Sequence, residues 1–134
     1  MVEPTPRFPY RHRQRLHGGR AFAAVFDAKL RKTAGPITVC GRPNGLAYSR
    51  LGLSVPRRIG SSVTRNRVKR RLREAFRLSQ HDRPIGYDLV VVVRPHKLET
   101  VGEYQRLLGG ALQRIHKLAR QRDDQGGLSS ETGS

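Results

Sequence analysis

Apolar positions in this chain fall into six clusters, and their spacing predicts six elements. Over residues 20–30 (RAFAAVFDAKL), Phe22 and Phe26 are four apart and share one face of a short helix. Residues 36–42 (PITVCGR) carry the β-branched run Ile37, Thr38 and Val39, which favours a strand. The Pro43-Asn44-Gly45 turn signal leads into a second strand at 47–55. There Ser49, Leu51, Leu53 and Val55 alternate with Arg50, Gly52 and Ser54. These two strands are expected to pair antiparallel. Over 62–79, Val68, Leu72, Ala75 and Phe76 follow the spacing of a buried helical stripe, with Ser61 or Ser62 as cap. Residues 89–93 (LVVVV) form a continuous apolar run that reads as a central strand buried on both faces. The last helix spans 101–120. Thr100 and Glu103 have capping-box spacing, and Leu108, Ala111, Leu112, Ile115, Leu118 and Ala119 line its apolar side. Gly109-Gly110 inside it costs about 1 kcal/mol per Gly relative to Ala.

The predicted order is α-β-β-α-β-α, a small single-domain α/β sandwich of the α+β kind with its sheet covered on at least one face. Residues 1–17 mix Pro, Arg and His without periodicity and read as a basic flexible arm. Residues 121–134 are polar and Gly/Ser-rich and read as a disordered tail, leaving 18–120 as the folded domain.

Charge changes this picture most. The chain has 27 Lys and Arg against 10 Asp and Glu, a net charge of +17. A compact domain so charged repels itself, and a phosphate backbone relieves that repulsion while releasing counterions. A membrane surface is a weaker match, because the chain has no Trp and no lipidation motif. No stretch approaches transmembrane length, and the Arg-containing N-terminus has no apolar signal region. The single cysteine, Cys40, excludes an internal disulfide and a Cys-rich zinc site. A cytoplasmic protein is expected.

The charge concentrates on the helix at 62–79. Between Arg57 and Arg77 stand nine basic residues and one acidic residue, Glu74. Lys69, Arg70, Arg73 and Arg77 fall on one face beside the apolar stripe. Like charges stand four apart at Arg65/Lys69, Lys69/Arg73 and Arg73/Arg77, each pair costing a few tenths of a kcal/mol until an anion compensates it. Most of these cations are Arg, whose planar fork grips phosphate bidentately and stacks on bases. Asn66, within the run, suits either a base edge or 2′-hydroxyl, or a local backbone bond at the helix start. Phe22 and Phe26 suit either the core or a groove where single-stranded bases stack. The carboxylates and the histidines (His12, His17, His81, His96, His116) are scattered, and no nucleophile motif is present. No catalytic residue and no metal site is expected in this polypeptide.

The stretch LGLSVPRRIGSSVTRNRVKRRLREAFR resembles the signature region of the bacterial ribonuclease P protein component. In that family a Gly-Leu-Ser-Val strand leads through a basic turn into a helix bearing an Arg-Asn-Arg motif. The matching parts here are Leu51 to Val55, then Arg57-Arg58-Ile59-Gly60, then Arg65-Asn66-Arg67 with Lys69, Arg70 and Arg73. The helix with Phe22 and Phe26 resembles the family's first helix, and the likeness covers roughly residues 15–120. It implies a mixed sheet with a left-handed β-α-β crossover, against the general right-handed rule.

It also implies the protein subunit of ribonuclease P, which assists endonucleolytic removal of the 5′ leader from precursor tRNA. The partners implied are a catalytic RNA and precursor tRNA, with no membrane and no small-molecule cofactor. Hydrolysis would belong to the RNA, with Mg²⁺ held by RNA and substrate. By the same resemblance Arg57, Arg58, Arg65, Asn66, Arg67, Lys69, Arg70 and Arg73 contact the RNA. Phe22, Phe26 and Cys40 line a leader cleft, Cys40 standing where members often carry an aromatic residue; by its own chemistry Cys40 reads equally as an ordinary small buried residue. Two other functions fit part of the pattern. A purely structural RNA binder shares the charge but has no use for a Phe22/Phe26 cleft. A helix-turn-helix DNA regulator needs a helix where residues 47–55 read as a strand.

Overall fold

The structure, a computed structural model, describes residues 14–79 and 84–133, with side chains described as far as Asp123. Three helices, α1 (Gly19–Asp27), α2 (Ser62–Leu78) and α3 (Val101–Gly133), accompany four strands, β1 (Leu30–Ala34), β2 (Ile37–Pro43), β3 (Arg50–Ser54) and β4 (Tyr87–Val93). The order is α-β-β-β-α-β-α, one strand more than the apolar pattern predicts.

That extra strand, β1, replaces the expected end of the first helix. Lys29 adopts a left-handed φ of 57°, and its N–H donates to the Phe26 carbonyl at 3.1 Å. A left-handed residue closes a helix, so Leu30 begins a strand instead of a last turn. A two-residue turn follows, with Gly35 at φ 56°, a conformation glycine takes without steric cost. β1 and β2 then pair from Ala34↔Ile37 to Leu30↔Gly41. Because β1 is charged and lies at the sheet edge, it has no apolar alternation to announce it.

The expected pairing of the next two strands is also corrected. The sheet order is β1-β2-β4-β3, so β4 lies between β2 and β3. β4 pairs antiparallel with β2 and parallel with β3, which makes the sheet mixed. Asn44 explains why the Pro43-Asn44-Gly45 turn does not close a hairpin. Its N–H donates to the Gly86 carbonyl at 2.8 Å and its Nδ2 to the Asp88 carboxylate at 2.9 Å. The turn is thereby tied to β4, and the chain passes on to β3 at the far edge. Arg50 of β3 then donates two hydrogen bonds to the buried Asp88, at 2.6 and 2.7 Å, locking β3 to β4.

The two sheet faces are built differently. One packs against α2 and α3 in a core that includes Ile37, Val39, Leu51, Val68, Leu72, Phe76, Leu89, Val91, Tyr104, Leu112 and Ile115. The other carries α1 over a small cluster of Leu16, Val25, Cys40 and Val90. β4 is buried on both sides, as its unbroken apolar run predicts. In α2, Val68, Leu72, Ala75 and Phe76 are the buried stripe, and the Ser61 Oγ caps the Thr64 N–H at 3.2 Å, both as expected. In α3 the capping box is half formed. Thr100 Oγ1 accepts from the Glu103 N–H at 3.0 Å, while the Glu103 carboxylate turns to Arg106. Gly109-Gly110 does not interrupt the helix.

Residues on both sides of the expected 18–120 domain also carry regular structure. Residues 1–13 of the arm lie outside the described residues, but residues 14–17 join the fold. The Leu16 N–H donates to the Leu51 carbonyl at 3.0 Å, Arg15 bridges to Leu51, and Leu16 is buried. At the other end the helical backbone of α3 continues through the segment read as a disordered tail, so the boundary after residue 120 falls inside a helix. Arg122 helps hold it there by donating to the Ala28 and Lys29 carbonyls at 2.5 and 2.8 Å.

Candidate nucleic-acid interface

The basic segment becomes a surface because α2 buries only one stripe. Arg57 and Arg58 stand exposed in a 3-10 turn (Arg57–Ile59) just before α2. Asn66, Arg67 and Arg70 are exposed, and Arg65, Lys69 and Arg73 are half-buried. Arg65 is held against the helix start, donating to the Gly60 carbonyl at 3.3 Å and to Ser62 Oγ at 3.2 Å. Asn66, Arg70 and Arg73 follow the spacing that puts side chains on one helix face. Together with Arg15, Arg71, Glu74 and Val101 they line a depression of about 580 Å³. The Nε of Arg73 is buried there without a hydrogen-bond acceptor among the described residues. A buried guanidinium donor left unpaired costs free energy, and an incoming phosphate oxygen would supply what it lacks.

Two members of the run are committed elsewhere. Arg77 donates to both carboxylate oxygens of Glu74, at 2.6 and 2.8 Å, which removes it from the like-charged ladder read from the sequence. The Arg77 hydrogen bonds hold the Glu74 carboxyl below its ordinary range. Arg71 donates to the Glu99 carbonyl at 2.7 Å and so ties α2 to the segment leading into α3.

The second part of the surface lies on the thin side of the sheet. Gly52 of β3 explains how Phe22 sits there. A Cβ at Gly52 would stand 2.6 Å from two ring atoms of Phe22, so the ring lies on the bare strand backbone. Phe22 is half-buried against the small core, while Phe26, one turn on, is 44% exposed. A cavity of about 130 Å³ runs beside this contact, lined by Arg15, Leu16, His17, Phe22, Gly52 and Arg73 among others. Arg15 and Arg73 line both this cavity and the larger depression, so the aromatic and basic regions adjoin.

Of the two readings of Cys40, a cleft residue or a small buried one, the structure has the buried one. Its side chain lies in the small core under α1 at 3% exposure, and burial pushes the thiol above its ordinary range. It offers no surface for a base to stack on. Arg15, Gly52 and Arg71 are additions to the residues expected from the sequence. A glycine inside a strand is a signal of close approach, so Gly52 is open to detection. Arg15 is not, since its place depends on a long-range pairing with Leu51.

Among the described residues no group of three or more His, Cys, Asp or Glu side chains could hold a metal ion. No described helix is long and apolar enough to cross a membrane.

Comparison with known proteins gives one consistent result. The family model described as ribonuclease P matches residues 10–116. The ribonuclease P protein component of Photorhabdus laumondii is 39% identical over 108 residues, covering 79% of this chain and 90% of that protein. Among solved structures, the RNase P protein from Thermotoga maritima superposes with a TM-score of 0.64 at 33% identity, covering 75% of this chain and 96% of that one. The Staphylococcus aureus RNase P protein does so with a TM-score of 0.61 at 26% identity, covering 79% and 94%.

Proposed function

The chain belongs to the ribonuclease P protein family, whose role is tRNA 5′ processing together with an RNA subunit, and from that premise we propose how its surface divides the work. α2 and the turn before it bind the catalytic RNA, with Arg57, Arg58, Arg65, Asn66, Arg67, Lys69, Arg70 and Arg73 on or beside the phosphate backbone. The region under α1 receives the 5′ leader of precursor tRNA, with Phe22 as its wall and Phe26 as the exposed stacking surface. The observation that supports this division is that Arg15 and Arg73 line both the basic depression and the cavity beside Phe22. One RNA strand can therefore pass from an aromatic contact to an arginine-rich one without crossing a neutral gap.

The described residues offer no carboxylate cluster to hold Mg²⁺. We assign the Mg²⁺ and the hydrolytic chemistry of the holoenzyme to the RNA subunit and the substrate phosphates. This chain's part is to screen charge, position the leader and favour the folded RNA, in the cytoplasm where precursor tRNA is made. Reconstitution tests the proposal. At low Mg²⁺ the protein should stimulate cleavage of precursor tRNA by a bacterial ribonuclease P RNA. No stimulation at any protein concentration with the cognate RNA would sink it.

A further inference from the structure

A second cationic surface lies on α3, at the opposite edge of the sheet from α2. α3 packs on β1 and β2 as well as on α2, whereas the main strand contact of α2 is with β3. With the strand order β1-β2-β4-β3, the two helices flank opposite edges. Three inter-strand steps of about 4.8 Å separate those edges by roughly 14 Å.

The outer side of α3 has a depression of about 550 Å³ lined by Gln113, Arg114, His116, Lys117, Arg120 and Gln121. Arg114 reaches from the helix to the edge-strand carbonyl of Thr33, and Arg122 to the carbonyls of Ala28 and Lys29 in the link between α1 and β1. These bonds leave their charge uncompensated, because a carbonyl is neutral. Lys117 and Arg120 are exposed and make no hydrogen bond or ion pair with a described residue. Exposed Lys29 and Arg31 extend the same sign along the β1 edge.

We propose that this α3 surface is a second contact for an RNA phosphate backbone, so that the protein bridges two RNA segments. The proposal rests on the function given above. At 1.5 Å of rise per residue, Arg114 to Arg122 spans about 12 Å, long enough to follow several phosphates. Guanidinium groups predominate, which suits phosphate geometry. The chemistry disfavours other acidic partners. Among the described residues the exposed large apolar ones are Phe26, Leu46, Val63 and Ile85, none of them on α3. A membrane contact or a protein interface would call for apolar anchors on this face.

Two RNAs could supply the phosphates, the catalytic RNA or the body of precursor tRNA, and the test separates them. The full chain carrying Lys117→Ala and Arg120→Ala is titrated against ribonuclease P RNA at several salt concentrations. The reconstituted holoenzyme carrying the same changes is titrated against precursor tRNA. In one of these arms the slope of log affinity against log salt should flatten by about 0.7–0.9 for each phosphate no longer neutralised, and that arm names the RNA. Lys117→Glu with Arg120→Glu should weaken binding further in the same arm.

Arg67→Ala with Arg70→Ala on α2 is the control. If the α3 changes leave both slopes unaltered while the α2 changes flatten the protein–RNA slope, the second surface is refuted and the proposed function stands. In that case the cations only protect the β1 edge from pairing. If neither pair of changes moves a slope, both readings fail.

Discussion

The two faces of the sheet carry unequal amounts of packing, and the proposed leader contact lies on the thinner one. On the α2/α3 side, Ile37, Leu51, Val68, Leu72, Leu89, Tyr104 and Ile115 are almost wholly inaccessible and close a continuous core. On the α1 side the buried hydrophobic cluster among the described residues is Leu16, Val25, Cys40 and Val90, and α1 leaves Phe26 facing solvent. The first face supplies most of the hydrophobic stabilisation, since that scales with apolar area removed from water. The second is under-covered by the same measure, and an uncovered aromatic surface beside arginines can accept a base. α2 belongs to both regions. Its Val68/Leu72/Phe76 stripe closes the thick core, while its Asn66/Arg70/Arg73 side opens on the basic depression.

Substitutions should separate the two faces. The largest loss of stability is expected from Leu72→Ala, about 2–5 kcal/mol by urea unfolding, because the cavity would open inside the closed core. Gly52→Ala should cost about 1–3 kcal/mol, as the new methyl group would meet the Phe22 ring. Adding Phe22→Ala should recover part of that loss in a double-mutant cycle. Purely additive losses would mean that the ring does not depend on the bare backbone.

Phe26→Ala should change stability by less than about 0.5 kcal/mol, given its exposure. It should still weaken holoenzyme binding to leader-bearing precursor by about 1–3 kcal/mol, the worth of one stacked base, and leave mature tRNA binding unchanged. Equal effects on both RNAs would remove Phe26 from the leader contact. The smallest expected effect belongs to Glu74→Gln. Arg77 lowers the folded-state pKa of Glu74, so the pair's stabilisation is present above the unfolded carboxyl value of about 4.3 and is lost as pH falls through the lower folded value. Wild type should be slightly more stable than the variant near neutral pH, with the difference vanishing in strong acid. A difference that grows in acid would reverse the assigned sign.

How far the sequence can be read follows the range of the interactions involved. The buried stripe of α2, its Ser61 cap and the central place of β4 are legible, because each depends on neighbours within a few residues or on an unbroken apolar run. β1 is hidden because an edge strand can be polar, and its start depends on Lys29 taking a left-handed conformation. The pairing expected between β2 and β3 does not form, because a turn signal shows that the chain reverses, and not which strand it meets next. Arg77 looks like a free cation within the basic run, yet Glu74 stands three residues before it. Helical spacing alone is enough to pair them.

The sequence by itself determined that this protein carries a dense arginine helix with one apolar side, and that its partner should be a polyanion. Periodicity and charge are local properties, and a helix turns them into faces without help from the rest of the chain. Tertiary structure alone decided that Arg15 and Arg73 line the same cavity, that Phe22 rests on Gly52, and that Cys40 is covered. Each of these joins residues far apart in the chain, and the strand order and packing of the four-stranded sheet bring them together.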